Sequence, residues 1–220
     1  LQRFQAAPVI HIFQAASSHK GSLKAVPSVP PITMPRLLTH HAPSVLRRHI
    51  QRGGLIAYPT ESCYGIGANP RHAHALRAIL RLKKRPQHKG FITIGNTLAQ
   101  LEPLLQRQPE NVRQHLHATW PAPISFVLPA HPRVLPLLRG NQRNRLAVRV
   151  PNHAVARELC RIAGTPLVST SCNQSGKRVC KSEREVRRLF GRKVWIVGGR
   201  VGKRKQPSEI VDWENNQRLR

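Results

Sequence analysis

From about residue 40 onward, short apolar runs alternate with stretches in which apolar residues recur every three or four positions. Pro43 and Ser44 open the first such stretch, which predicts a helix over 45–51 closed by Gly53 and Gly54. Residues 55–58 form an apolar run stopped by Pro59, and they predict a strand. A second helix is expected over 72–83, with Ala75, Leu76, Ile79, Leu80 and Leu82 on its apolar side. Residues 91–94 read as a strand and 97–105 as a Leu-rich helix. Further strands are expected at 125–128, 146–150, 166–170 and 194–197, and further helices at 153–163 and 182–190. Short strands alternating with helices of about ten residues indicate a layered α/β domain. The chain has no internal repeat, and no linker breaks it after residue 40.

Length sharpens this picture, since 220 residues suffice for one compact domain, or one domain plus a tail. Apolar residues make up 40% of the chain, as expected of a folded protein. No apolar run approaches the ~18 residues of a membrane span. Residues 1–35 differ from the rest: they lack any acid, end in a Pro-rich stretch and contain the only methionine, Met34. They are expected to be a disordered leader, a stretch ahead of a true start at Met34, or a targeting peptide poor in basic residues. The folded domain is expected to span 36–220.

Charge changes the view of partners. Against 37 Lys plus Arg stand 9 Asp plus Glu, a formal net charge of +28. Such a field concentrates polyanions, so RNA and nucleotides are natural partners, with anionic membrane surfaces or a merely solubilising surface as alternatives. Cys63, Cys160, Cys172 and Cys180 form no C-x-x-C pair and no zinc spacing. Reduced thiols in a cytoplasmic protein are expected.

Four segments hold candidate chemistry. After the first strand, residues 58–69 carry Thr60, Glu61, Ser62, Gly65 and Gly67 at a strand end, where α/β sheets bind ligands; the plain alternative is a turn. Residues 81–89 hold five cations, of which Lys83, Arg85 and Lys89 could converge on a phosphate or form a solvated basic turn. Arg149 interrupts an apolar strand, so it faces solvent on an edge or enters a cleft with an anion. Residues 168–176 break from an apolar strand into Ser169, Thr170, Ser171, Asn173 and Ser175, able to bind phosphate or carboxylate oxygens or simply to form a polar turn.

Several chemistries find no support. The chain has no G-x-x-x-x-G-K-[ST] loop, no G-x-S-x-G elbow and no H-E-x-x-H pair. Glu61 is the only acid in a candidate loop, which argues against a two-carboxylate mechanism and a carboxylate-built Mg²⁺ site. What remains is catalysis by cationic charge stabilisation and substrate positioning.

Six stretches, in this order, resemble the YrdC/TsaC family of threonylcarbamoyl-AMP synthases. They are Tyr58-Pro-Thr-Glu with Tyr64-Gly-Ile-Gly, Leu82-Lys-Lys-Arg-Pro with Lys89-Gly, Trp120-Pro-Ala-Pro-Ile-Ser, Leu146-Ala-Val-Arg, Pro166-Leu-Val-Ser-Thr-Ser-Cys-Asn-Gln-Ser-Gly and Pro207-Ser-Glu-Ile-Val-Asp. The resemblance covers about residues 40–213 and is to the single-domain type. It implies a twisted mixed sheet with flanking helices and a concave basic cleft. The implied reaction joins L-threonine and bicarbonate into a carbamate that ATP adenylates, releasing pyrophosphate, for threonylcarbamoyl modification of the tRNA adenosine beside the anticodon. Downstream threonylcarbamoyl-transfer proteins would be partners, as would tRNA or double-stranded RNA.

By the same resemblance, Lys83 and Arg85 match the family's K-x-R and, with Lys89, should neutralise the ATP phosphates. Arg149 should hold an anionic group, and Ser169, Ser171 and Asn173 should bind nucleotide oxygens. Thr60, Tyr64 and Ser125 should line the threonine and nucleotide pockets. No residue is expected to bind a metal, and Mg²⁺ would ride on ATP. Three positions depart from the pattern: Cys172 for Ala, Ala122 for a Gly whose loss would strain the loop if it needs positive φ, and Ser125 for Thr. A non-catalytic RNA-binding factor in rRNA or ribosome maturation is the competing reading. It has no RRM or KH signature behind it, and aromatics are only 5% of the chain, too few for stacking platforms.

Overall fold

The computed structural model describes residues 43–140 and 143–220; the expectations for residues 1–35 lie outside the described residues. Eight strands form one mixed sheet: β1 (Ile56–Pro59), β2 (Tyr64–Gly67), β3 (Ile92–Ile94), β4 (Ile124–Pro129), β5 (Arg145–Arg149), β6 (Leu167–Ser171), β7 (Trp195–Ile196) and β8 (Glu209–Asp212). Their spatial order is β7-β1-β2-β6-β3-β5-β4-β8. The pairs β1/β7, β3/β5 and β4/β8 are parallel, and the other four are antiparallel.

The helices are α1 (Pro43–Gln51), α2 (Ala73–Lys83), α3 (Leu98–Leu101), α4 (Glu110–Thr119), α5 (Pro136–Arg139), α6 (Ala154–Ala163) and α7 (Glu183–Phe190). Ser182 and Glu185 cap the start of α7 reciprocally, and Gly164 at φ 65° ends α6 in the left-handed conformation. α2 ends on Lys84, itself left-handed at φ 50°, and Pro86 prevents continuation. Among the described residues no helix is long and apolar enough to cross a membrane.

The two sheet faces are covered unequally, and this creates the site. Leu146 and Val148 of β5, Phe126 and Leu128 of β4 and Val168 of β6 bury into a large core shared with Leu76, Leu101 and Leu116. Behind the other face, Leu46 and Ile50 of α1 and Leu159 and Ile162 of α6 pack on Ile56, Ile94 and Leu167. That smaller core holds no residue of β4, β5 or β8. Because strand side chains alternate between faces, Arg145, Ala147 and Arg149 of β5 point to this second side.

Several elements differ from expectation, among them the short α5, which was not foreseen. β2 was expected as loop, since two of its four residues are glycine. A Cβ on Gly67 would lie 2.7 Å from the Val168 carbonyl oxygen and 2.8 Å from the Tyr58 ring, so glycine is what lets the strand seat. β8 has only half-buried residues, and α4 buries only Val112 and Leu116, so neither shows a strong periodic signal. The helix expected at 97–105 is split into α3 and a 3-10 turn, Glu102–Leu104, at Pro103, which has no N–H to give. The strain considered for Ala122 does not arise. Lys84 and Asn216 are the only non-glycine residues at positive φ among the described residues.

Candidate active site

The uncovered sheet face forms a cavity of about 630 Å³. Its floor comes from alternate strand residues: Gly65, Ile92, Val127, Ala147, Ser169 and Ile210. Among the described residues seven cationic side chains line it, Arg85, Lys89, Arg139, Arg143, Arg145, Arg149 and Arg220, against two carboxylates, Glu61 and Asp212.

β5 lies between β3 and β4, so Arg149 is not on an edge; it is 5% exposed and enters the cavity. Its Nη1 lies 3.6 Å from Glu61 Oε1, and its Nε has no partner. Glu61 Oε1 also accepts from the Asn152 N–H at 2.9 Å. Arg145 is differently placed: it donates to both Asp212 oxygens at 2.8 and 2.7 Å and to the Val127 carbonyl at 3.0 Å. Arg145 Nη1 also lies 3.1 Å from Glu214, so its Nη protons are taken up, while its buried Nε has no partner. Arg85 rests over the Phe91 ring at 5.6 Å and donates to the Gly90 carbonyl at 2.9 Å, leaving its buried Nε without a partner. Arg220 donates to the Ser208 carbonyl and hydroxyl oxygens, both at 3.0 Å.

These guanidiniums press on one another. Burial, then Arg220, lowers the pKa of Arg85, and burial, then Arg149, lowers that of Arg220. Like charges crowded over a concave, partly dry wall, with the Nε donors of Arg85, Arg145 and Arg149 unspent, make a site that an anion relieves.

Of the residues expected to form the site, Thr60, Arg85, Lys89, Arg149, Ser169 and Ser171 line the cavity. Thr60 spends its hydroxyl proton on the Cys63 carbonyl at 2.7 Å. Four others do not line it. Tyr64 has its ring in the large core and donates to the Gly199 carbonyl at 2.8 Å, and burial raises its pKa. Ser125 shares the cavity side of β4 with Val127 but is fully buried, its Oγ without a partner. Asn173 is buried behind Ser171. Lys83 was expected to meet the phosphates; instead it is 1% exposed, with its ammonium on the Ser171 and Asn173 segment. Burial, then Arg85, brings its pKa down to about 8.

Sequence reasoning named no role for Arg145, Asp212 or Arg220. The alternation Arg145-Leu-Ala-Val-Arg149 carried the signal for the first, because residues four apart on a strand share a face. Nothing local marks Arg220. Among the described residues, no group of three or more His, Cys, Asp or Glu side chains could hold a metal ion.

The model of the Sua5/YciO/YrdC family, described as "Telomere recombination", matches residues 48–220. The chain belongs to this family. It is 58% identical over 186 residues to the threonylcarbamoyl-AMP synthase of Neisseria meningitidis (serogroup A / serotype 4A), covering 84% of this chain and 98% of that protein. It is 44% identical over 187 residues to the threonylcarbamoyl-AMP synthase of Chromobacterium violaceum, covering 85% and 96%. Among solved structures, P. abyssi Sua5 complexed with L-threonine superposes with a TM-score of 0.72 at 31% identity. That match covers 78% of this chain and 52% of the Sua5 chain, so this chain spans about half the length of that protein.

Proposed function

We propose that the chain is a threonylcarbamoyl-AMP synthase, a nucleotidyltransferase acting on ATP, L-threonine and bicarbonate. The observation that carries this is the cavity of about 630 Å³ lined by arginines with unspent donors, in a chain 58% identical to a protein of that name. Cavities of roughly 300–1,000 Å³ hold ligands of this size.

The chemistry follows from the charges. The threonine amine adds to the carbon of bicarbonate, water leaves, and an N-carboxylate forms. One of its oxygens attacks the α-phosphorus of ATP, the bond to the β-phosphate oxygen breaks, and pyrophosphate departs with the electron pair. Negative charge gathers on the phosphoryl oxygens throughout, and Arg85 and Arg149 offer unspent N–H donors to it. Mg²⁺ enters as part of the substrate, chelated by the triphosphate, since Asp212 is already paired with Arg145 and Glu61 with Arg149. The product is passed to cytoplasmic transfer proteins that modify tRNA.

The test is pyrophosphate release from ATP, Mg²⁺, bicarbonate and threonine. Release dependent on both threonine and bicarbonate is expected. Absence of turnover in a folded protein that binds double-stranded RNA in a salt-sensitive way would favour the RNA-binding reading instead.

A further inference from the structure

Lys83 and Ser171 are 88 residues apart, yet one closed hydrogen-bond network joins them at the cavity wall. An ammonium has three protons and no acceptor. All three of Lys83 are spent: on the Ser171 carbonyl, on the Asn173 carbonyl at 2.7 Å and on Asn173 Oδ1 at 2.9 Å. None remains for a phosphate.

The direction of every other bond follows. Because Lys83 can only donate, the atom of Asn173 facing it must be the oxygen, and the amide cannot flip. Its Nδ2 then donates to the Lys177 carbonyl, which fixes the amide from the far side. Oδ1 takes a second bond, 2.8 Å long, from Ser171 Oγ. A carboxamide oxygen offers no proton, so the serine must supply its only one. Ser171 Oγ lines the cavity with its proton turned inward and its lone pairs outward.

We infer that Lys83 is a positioning residue that sets the polarity of Ser171, so that Ser171 accepts a hydrogen bond from the non-phosphate part of the adenylate. The phosphates go to the guanidiniums, which have protons to give. Ser171 takes an N–H or O–H, the donor class carried by the base, the ribose and the amino acid. This rests on the synthase reading for the identity of the ligand, though not for the direction of the bonds.

Pyrophosphate separates the two, because at pH 7.5 most of its oxygens are unprotonated and it binds chiefly as an acceptor. Its binding to the full chain is measured by calorimetry for the parent, Ser171→Ala, Ser171→Thr and Lys83→Met, alongside steady-state kinetics. Ser171→Ala and Lys83→Met are expected to bind pyrophosphate within about twofold of the parent while losing about tenfold or more in kcat/KM, one good hydrogen bond's worth. Ser171→Thr, which keeps the hydroxyl, restores most of that loss; a merely structural role for Ser171 would show no such dependence on the hydroxyl. Should Lys83→Met fold poorly, the serine pair alone decides the matter. A tenfold fall in pyrophosphate affinity in Ser171→Ala overturns the inference, as does a parent that does not bind pyrophosphate at all. A parent that binds pyrophosphate normally but makes no product sinks the synthase reading alone, and the titrations still decide the polarity of Ser171.

Discussion

Replacing Glu61 by Gln tests whether Arg149 depends on Glu61 as its buried counterion. Glu61 and Arg149 have side chains only 10% and 7% exposed and lie 3.6 Å apart. At about 4 Å and an effective dielectric near 20, such a pair attracts by about 4 kcal/mol before desolvation is counted. Gln keeps an acceptor for the Asn152 N–H, so the change removes charge and little else. Leaving a buried charge without its partner typically costs about 3–5 kcal/mol. Taking about 3 kcal/mol, with about 2–4 °C per kcal/mol for a chain of this size, thermal unfolding should shift down by about 6–12 °C. An anion should reverse much of this, because the freed Arg149 becomes available to it. Scanning calorimetry with and without pyrophosphate is the assay. The variant should melt lower than the parent alone, and pyrophosphate should raise its transition by more than it raises the parent's. A variant that melts with the parent, or that binds pyrophosphate less tightly, would refute the account of Glu61 as the internal counterion.

Two further expectations follow from the same geometry. The segment between β7 and β8 packs on the Thr60–Glu61 wall of the cavity at Gly202, whose N–H donates to the Thr60 carbonyl at 2.9 Å. A Cβ there would meet the Glu61 carbonyl oxygen at 2.7 Å, so Gly202→Ala should cost about 1–3 kcal/mol and weaken pyrophosphate binding. An unchanged melting transition would show that the strap yields freely. Cys63 is half-buried and lines the cavity, while Cys160, Cys172 and Cys180 are buried. Being the most accessible of the four, Cys63 should be modified first by an anionic disulfide reagent; burial raises its pKa, so the rate should climb as pH rises, and pyrophosphate should slow the reaction. Prior reaction at another thiol, or no protection, would contradict this placement.

Six motifs in order were enough to foresee the fold class and family, and the positions of most strands and helices were legible from local periodicity. β2 was not, because its two glycines mimic a loop and its need for Gly67 comes from Val168 and Tyr58, distant in the chain. Nor were β8 and α4, which bury too little for a periodic pattern to stand out. Of the candidate site residues, the cations of the Lys83–Lys89 stretch looked equivalent. Arg85 and Lys89 reach the cavity, whereas Lys83 lies behind its wall.

The sequence by itself determined which residue types were available: an excess of guanidiniums, few carboxylates, and hydroxyls at strand ends. It also determined the alternation that puts Arg145, Ala147 and Arg149 on one face, since a strand's period is set by its own backbone. Only the tertiary structure decided which of these groups meet. The pairing of β5 between β3 and β4 turned Arg149 from a possible edge residue into a cavity residue. The contact of Lys83 with Asn173 spent an ammonium that the chain order alone left free. Hydrogen-bond capacity belongs to each residue, but whether it is used depends on neighbours brought together by long-range packing, and no local pattern encodes that.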